Sequence, residues 1–218
     1  MNEEPFVRWD WLRDHTDEIW VRTVEHVQLT AIAIVVGLVL ASALAAVAIR
    51  FRRTYGPITQ LAAILYTIPS LALFTILVSY TGLTRTTAEI GLVSYTLLIL
   101  VRSIVVGIDG VPASARDAAD AMGYRRWRRL WSVELPLALP VIVAGVRIAT
   151  VTIIGLVTVT AIIGQGGYGA FILDGLRRNF PTPLVLGSVL SVLLAVLCDA
   201  SLVVAERALT PWARRSNV

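Results

Sequence analysis

The sequence predicts an all-α, polytopic membrane protein with about five transmembrane helices. Of its 218 residues, 56% are hydrophobic and only 16% are charged, which is typical of membrane proteins and not of water-soluble domains. The apolar residues also lie in long runs, and a bilayer core of about 30 Å needs roughly 20 apolar residues in a helix. Uncharged runs cover residues 27–49, 54–84, 148–173 and 179–198, and a fifth apolar region covers 88–108.

These runs predict five spans joined by loops. We place the spans near residues 27–49, 57–79, 88–108, 137–163 and 184–205, within a transmembrane domain at 26–208. The run from 54 to 84 is too long for one span and too short for two, so it predicts a single helix with polar ends. Pro69 interrupts its hydrogen bonding and Ser70 is expected to bond a freed carbonyl, so we expect a kink there. The GQGGYG stretch at 164–169 is interpreted as a glycine turn that lets short helices pack outside the membrane.

Residues 1–25 form a separate N-terminal segment. It holds seven acids and three arginines, and it lacks the basic start and short apolar stretch of a cleavable signal peptide, so we expect it to be retained. Trp9, Trp11 and Trp20 suit a membrane interface, where an indole buries its ring and keeps its N–H in water. The segment is interpreted as an interfacial helix, with a loosely folded tail as the alternative.

The arginine distribution predicts the orientation, because basic residues near helix ends are retained on the cytoplasmic side. Eleven arginines follow the first, third and fifth spans, six lie in the other segments outside the spans, and two lie inside apolar stretches. The N-terminus is therefore expected outside the cell and the tail at 209–218 inside it. The loop at 109–136 then faces the cytoplasm.

This loop carries a motif with fixed spacing. An acid is followed by two alanines, a glycine comes four positions after the second alanine, and a β-branched residue and Leu-Pro close the pattern. The matching residues are Asp117, Ala118, Ala119, Gly123, Val133, Leu135 and Pro136. The spacing resembles the "EAA" loop with which permease subunits of ATP-binding-cassette (ABC) importers grip their ATPases. Asp stands here for the usual Glu and Val for the usual Ile, and both changes are conservative.

The loop is predicted to fold into a compact knob. Pro112 suits the first turn of a helix, and residues 113–122 are rich in alanine and contain no helix breaker. Gly123 can then adopt a backbone conformation closed to other residues. The chain would turn there into a second helical segment that carries Trp127 and Trp131 one turn apart.

Two roles fit this knob. The small alanine side chains of the motif, Ala119 among them, would let it enter a groove of an ATPase closely. Alternatively, the segment lies on the anionic inner leaflet, with its four arginines paired to lipid headgroups. Lipid binding does not require the spacing out to Pro136, so the motif favours docking. Arg125, Arg126 and Trp127 are expected to flank the docked surface, and the arginines can also touch lipid.

Three further stretches resemble one branch of these importers, the osmoprotectant permeases that import glycine betaine, choline, carnitine and related compounds. The stretches are TIPSLAL at 67–73, ELPLALPVIVAGVRIATV at 134–151 and IIGQGGYG at 162–169. They are similar to the second helix, the fourth helix and the following outer loop of that branch. Related amino-acid importers share parts of them, so an amino acid or another small polar solute is the alternative substrate.

The resemblance implies a type I importer permease fold. In such importers two permease subunits, identical or paralogous, form a pathway between them, and each docks one of two ATPases. The ATPases and an external substrate-binding protein are then separate chains, and ATP and Mg are used by the ATPase. This chain would bind no cofactor, metal or nucleic acid and would not itself be an enzyme. A membrane-embedded enzyme and an ion channel are the rival classes, and the sequence contains no HExxH or nucleophile motif to support the enzyme.

Ionisable side chains inside spans are costly, so each is expected to have a partner or a function. Arg102 and Asp199 each lie six residues from the inner end of a span, which places both roughly 9 Å deep. They are expected to form an ion pair that Arg147 joins, unless Arg147 extends its stem to the surface. The pair is interpreted as a structural link, with a gate as the alternative. Polar or kinked positions that are candidates for lining the pathway or its gate are Pro69, Ser70, Thr152 and Thr158.

Overall fold

The computed structural model describes residues 7–212, and all regular secondary structure within this range is helical. The α-helices of the described chain are α1 (Trp9–Asp14), α2 (Thr16–Arg50), α3 (Tyr55–Thr67), α4 (Ser70–Thr81), α5 (Arg85–Asp109), α6 (Ala113–Ala121), α7 (Arg126–Arg129), α8 (Leu135–Val159), α9 (Gly169–Arg178) and α10 (Pro181–Leu209). Short 3-10 turns lie at Arg52–Thr54 and Thr160–Ile163, and a π turn lies at Leu130–Glu134.

Four helical units are long and apolar enough to cross a membrane. They are α2, α5, α10 and the 38-residue unit Arg126–Ile163, which joins α7, the π turn, α8 and the 3-10 turn that follows it. The chain from Arg52 to Thr81 passes the same test as a pair of helices, but α3 and α4 meet at 96°. The predicted all-α fold with about five spans is therefore confirmed, with the second span broken.

Two boundaries differ from the sequence prediction. The first helix of a span begins at Thr16, so residues 16–25 extend this helix instead of belonging to a separate segment, and only Trp9–Asp14 forms a short helix of its own. The fourth span was predicted to start at 137, but its helix is continuous from Arg126. No glycine lies between Arg126 and Glu134 to interrupt it. Residues 1–6 and 213–218, which the sequence analysis assigned to the two terminal segments, lie outside the described range.

The helix α5 lies at the centre of the bundle. It packs against α2 on one side and α8 on another, and α3 and α4 cover part of the remaining surface, while α10 packs mainly on α8 and α9. Glycines allow close helix approach: a Cβ on Gly91 would overlap the ring of Phe74, and a Cβ on Gly145 would overlap the side chain of Ser103. Small residues at crossings are the usual means by which membrane helices gain contact area.

The glycine-rich loop at 164–169 forms a turn, as interpreted from the sequence, and it is tied to α2. The N–H of Gly166 donates to the Glu25 carboxylate at 3.0 Å, and the N–H of Tyr168 donates to Nδ1 of His26 at 3.3 Å. His26 is fully buried and its Nε2 donates to the Ile154 carbonyl at 3.1 Å. Buried polar groups need such partners, so His26 serves to join the loop, α2 and α8. No motif in the sequence predicts this role for His26.

Candidate functional site

The chain after α5 folds into a compact knob, which we define as residues 110–134. Its exposed helix α6 ends where Gly123 adopts a φ of +73°. The N–H groups of Gly123 and Tyr124 bond the carbonyls of Asp120 and Ala119 at 2.9 and 3.0 Å, which closes the helix end. No other described residue lies within 4 Å of the place where a Cβ on Gly123 would stand. The turn therefore requires a left-handed backbone at Gly123, but it leaves space for a side chain there.

The seven motif residues separate into an exposed group and a packed group. Asp117, Ala118 and Gly123 are exposed on the knob, whereas Ala119 is fully buried and Val133, Leu135 and Pro136 are half-buried where the knob joins α8. The expected entry of Ala119 into a partner's groove is therefore wrong. Successive helix residues are rotated by about 100°, so Ala119 faces the inside of the knob while Ala118 faces outward. The motif encodes both a surface and the packing that presents it.

Arg129 ties α6 to the start of α8. Its Nη1 donates to both carboxylate oxygens of Asp120, at 2.7 and 2.5 Å, and its Nε donates to Glu134 at 2.7 Å. Glu134 is only 8% exposed. In an α-helix, residues five apart are rotated by about 140° around the axis, and the wider π turn brings them closer to one face. The π turn at Leu130–Glu134 therefore allows one arginine to hold both carboxylates.

Further arginines fasten the knob to neighbouring elements. Arg52, just after α2, forms a two-pronged bond with Asp109 at the end of α5, at 2.7 and 2.6 Å. Arg116 in α6 donates to the carbonyl of Ile108 at 2.5 Å. The Nε of Arg116 is buried and has no hydrogen-bond partner among the described residues. Arg116 and Arg129 thus hold α6 to the end of α5 and to the unit that begins at Arg126, and the Arg52–Asp109 pair fixes the end of α5 to the chain after α2.

The residues predicted to flank the motif are exposed. Trp127 and Trp131 are 69% and 53% exposed, and their ring centroids lie 5.5 Å apart, in agreement with the predicted one-turn spacing. Arg125 and Arg126 are exposed next to them, and the guanidinium of Arg128 lies 4.3 Å from the ring centroid of Tyr124. A basic and aromatic surface therefore follows α6 directly.

The second candidate span breaks at Ile68 and Pro69. Ile68 has extended backbone, with φ −63° and ψ 127°, as expected of a residue before proline. Its free carbonyl accepts a hydrogen bond from the hydroxyl of Tyr95 in α5 at 2.5 Å, and the Tyr66 ring packs edge-on against Tyr95. The kink is found at the predicted position, but the expectation that Ser70 satisfies the carbonyl is wrong. A tyrosine 27 residues away takes this role.

Arg147 of α8 forms the ion pair with α10. Its Nε and Nη2 donate to Asp199 at 2.8 and 3.0 Å, and its Nη1 donates to Glu206 at 3.4 Å. The predicted pair between Arg102 and Asp199 is wrong: Arg102 is exposed and makes no hydrogen bond or ion pair with any described residue. Equal depth is not sufficient for pairing, because α10 packs mainly on α8 and α9 and not on α5.

The other candidate pathway positions have diverse surroundings. The hydroxyls of Thr152 and Thr158 donate to the Ile148 and Gly155 carbonyls of their own helix, at 2.8 and 2.7 Å. Both residues are half-buried, as is Ser70, whereas Pro69 is exposed. Since a threonine that bonds its own helix keeps acceptor capacity, the pathway role of these residues stays a prediction.

Fold and site together define a class of protein. The chain is a multi-pass helical membrane protein that presents a rigid, fastened knob with an exposed acid-alanine-glycine surface at one end of its bundle. Residues 33–211 match the family described as "Binding-protein-dependent transport system inner membrane component". The chain belongs to this family of transporter permease components.

Several relatives are similar along nearly their whole length. The glycine betaine/carnitine/choline transport system permease protein OpuCB of Bacillus subtilis (strain 168) is 32% identical over 201 residues, which cover 92% of this chain and 93% of the relative. The choline transport system permease protein OpuBB of the same organism is 34% identical, with the same coverage. The osmoprotectant import permease protein OsmW of Salmonella typhimurium is 32% identical over 206 residues, which cover 92% of this chain and 96% of the relative.

Solved structures show the same fold. A chain of the MetNI methionine ABC transporter in an inward-facing conformation is similar with a TM-score of 0.73 at 20% identity, over 94% of this chain and all of that chain. A chain of an amino acid ABC transporter crystallised with histidines has a TM-score of 0.75 at 16% identity, over 93% of this chain and 99% of that chain. The predicted type I ABC importer permease fold is therefore confirmed.

Proposed function

We propose that this chain is a permease subunit of an ATP-driven ABC importer that translocates osmoprotectants such as glycine betaine, choline or carnitine. The names of the similar permeases from Bacillus subtilis and Salmonella typhimurium support this substrate class, because they match nearly the whole chain at 32–34% identity. The alternative, an amino acid or another small polar solute, is supported only by the likeness of fold to the methionine and amino-acid transporters.

The proposed assembly has two permease subunits, identical or paralogous, two ATPases and an external substrate-binding protein. ATP and Mg are bound by the ATPases, so this chain carries no cofactor and no catalytic residue. The arginine distribution supports an orientation with the N-terminus outside and the C-terminus inside the cell. The knob is then cytoplasmic, where an ATPase can reach it.

The knob carries the proposal, because its structure suits a mechanical joint. Asp117, Ala118 and Gly123 present an exposed surface with small side chains, which allows close approach of a partner. The Asp120–Arg129 ion pair joins this surface to the unit Arg126–Ile163, so a displacement of α6 is passed to the longest helical unit of the described bundle. Full switching of a two-state equilibrium from 1:99 to 99:1 needs about 5.5 kcal/mol of differential interaction, which a loose joint would not deliver.

Substitution of Gly123 tests the docking role. In Gly123→Ala the new side chain must adopt a left-handed backbone at a cost of about 1–2 kcal/mol, but it meets no neighbour within this chain. Gly123→Arg has the same backbone cost and also places a bulky charge on the docking surface. We expect labelled glycine betaine uptake at high osmolarity to survive the alanine change. The arginine change should abolish uptake and co-purification of the ATPase, with the permease still present in the membrane.

The possible outcomes test the docking surface, the backbone turn and the substrate class separately. Normal uptake with Gly123→Arg would refute docking through this surface. Equal loss in Gly123→Ala and Gly123→Arg would assign the effect to the backbone turn and not to the surface. Betaine uptake that is unchanged when the chain is deleted would refute the substrate class. Co-purification of an ATPase with the expressed chain would then leave the importer assembly standing.

A further inference from the structure

A large cavity opens on one side of the bundle next to the knob. Its volume is about 850 Å³, within the range of roughly 300–1,000 Å³ that is usual for ligand pockets, and it lies between α2, α5 and the unit that begins at Arg126. Its wall includes Leu38, Ile104 and Ile142, and Arg50 lies at its other end on α2. From Leu38 to Arg50 the helix rises about 18 Å, while one leaflet of the hydrocarbon core is about 15 Å thick. The cavity is therefore about as long as one leaflet is thick.

The mouth of this cavity is strongly basic. The arginines that line it are Arg50, Arg52, Arg116, Arg126 and Arg129. Arg52 and Arg129 already pair with carboxylates of this chain. Arg50, Arg116 and Arg126 have no carboxylate partner among the described residues, since Arg50 contacts an aromatic ring and Arg116 a backbone carbonyl. Three positive charges thus remain available to an anionic ligand.

Two further observations place the ligand at the mouth. The Nε of Arg116 is buried without a hydrogen-bond acceptor among the described residues, which is costly for a guanidinium and leaves it able to bond an acceptor from outside the chain. Trp127 and Trp131 also line the cavity, and tryptophans are enriched at the level of lipid headgroups. An arginine mouth with tryptophans above an apolar wall matches a phospholipid, with its phosphate at the arginines and an acyl chain along the wall.

We propose that this cavity binds one anionic phospholipid from the leaflet on the knob side of the membrane. The phosphate contacts Arg50, Arg116 and Arg126, and an acyl chain lies against Leu38 and Ile142. A free phosphate does not use an apolar wall about 18 Å long, and a zwitterionic lipid does not use the unpaired positive charges. The lipid would contact α2, α5, the knob and the beginning of α8, and would therefore stiffen the joint. This site does not depend on which solute the protein transports.

Native mass spectrometry of the purified full-length chain, released from detergent after incubation with defined lipids, tests the site. We expect phosphatidylglycerol to remain bound, and phosphatidylcholine and glycerol phosphate to be lost. Arg126→Gln is expected to weaken phosphatidylglycerol binding about fivefold, the usual effect of one basic residue near an anionic surface. Ala46→Phe, which fills the apolar part of the cavity, is expected to abolish the bound species. Arg53→Gln is the matched control. It removes one positive charge, as Arg126→Gln does, and Arg53 follows α2 close to Arg50 and Arg52 but does not line the cavity.

The result that supports the proposal is a phosphatidylglycerol adduct that Arg126→Gln and Ala46→Phe weaken and Arg53→Gln preserves. Equal retention of phosphatidylcholine would overturn it, because it would indicate an unspecific lipid annulus. Equal weakening by Arg53→Gln would overturn it as well, since it would indicate general attraction to a basic surface. Retention of glycerol phosphate without an acyl chain would show an anion site in place of a lipid site. The two cavity variants change opposite ends of the ligand, so misfolding of one leaves the other decisive.

Discussion

Replacing Arg129 with glutamine is expected to loosen the knob, with most of the cost arising at Glu134. Glu134 is 8% exposed and has Arg129 as its one side-chain hydrogen-bond partner among the described residues, whereas the Asp120 side chain is 51% exposed. Breaking a buried charge pair costs about 3–5 kcal/mol, and an exposed pair contributes about 0–1 kcal/mol. The Arg129 side chain is itself 23% exposed, so solvent weakens the interaction. We therefore expect Arg129→Gln to lower the free energy of unfolding by about 2–3 kcal/mol.

Double-mutant cycles divide this cost between the two carboxylates. The first cycle combines Arg129→Gln with Glu134→Gln, and the second combines it with Asp120→Asn. We expect a coupling of about 2 kcal/mol in the first and below about 1 kcal/mol in the second. Thermal unfolding of the solubilised protein can be followed by tryptophan fluorescence, with about 2–4 °C per kcal/mol for a chain of this size. Arg128→Gln is the control: it removes the same charge one residue away without breaking an ion pair.

A larger coupling to Asp120 than to Glu134 would refute this reasoning, because burial would then not be the source of the stabilisation. A shift by Arg128→Gln as large as that by Arg129→Gln would also refute it, since the effect would follow from net charge alone. If the expected order holds, Asp120→Asn becomes a useful variant. It releases α6 from Arg129 and leaves the buried pair with Glu134 in place. The variant therefore tests whether α6 passes its movement to the helical unit without a large loss of folding stability.

Two other predictions concern packing and charge within the bundle. Gly91→Ala places a methyl group into a buried phenylalanine ring and is expected to lower the free energy of unfolding by about 1–3 kcal/mol. Gly155→Ala, at a helical glycine with open space around it, should not be destabilising, and equal destabilisation of both in thermal unfolding would contradict the packing argument. Arg147→Asp combined with Asp199→Arg is expected to restore the membrane expression that each single reversal reduces, measured by immunoblot. The same exchange between Arg102 and Asp199 should not, and rescue by it would contradict the observed pairing.

The features that were predictable from the sequence depend on local signals. The helix expected at 113–122 is found at Ala113–Ala121, because a proline, a run of alanines and a glycine suffice to start, continue and end it. The break at Pro69 is found for the same reason, since proline restricts both itself and the residue before it. The fold class followed from composition and run length alone.

The features that were missed depend on rotation around a helix axis and on distant partners. Counting residues gives depth in the membrane, so it placed Arg102 and Asp199 at one level, but it did not show that Arg102 is exposed on a helix against which α10 does not mainly pack. The bond from Tyr95 to the carbonyl before Pro69 joins residues 27 positions apart, which no local pattern relates. The sequence pattern did not predict the π turn either, and the arginine beside it bonds Asp120 in another helix as well as Glu134.

The close crossing of α8 and α5 at Gly145 has a mechanical consequence. Gly145 lies near the middle of the 38-residue unit Arg126–Ile163, with arms of about 28 Å and 27 Å on its two sides. If the unit turned about this crossing as one body, its two ends would move by nearly equal distances in opposite directions. A pull on the knob that draws one end towards the bundle axis would therefore swing the other end away by a similar amount. In the proposed importer, a turn about this crossing would thus displace the two ends of the unit by similar amounts on the two sides of the membrane.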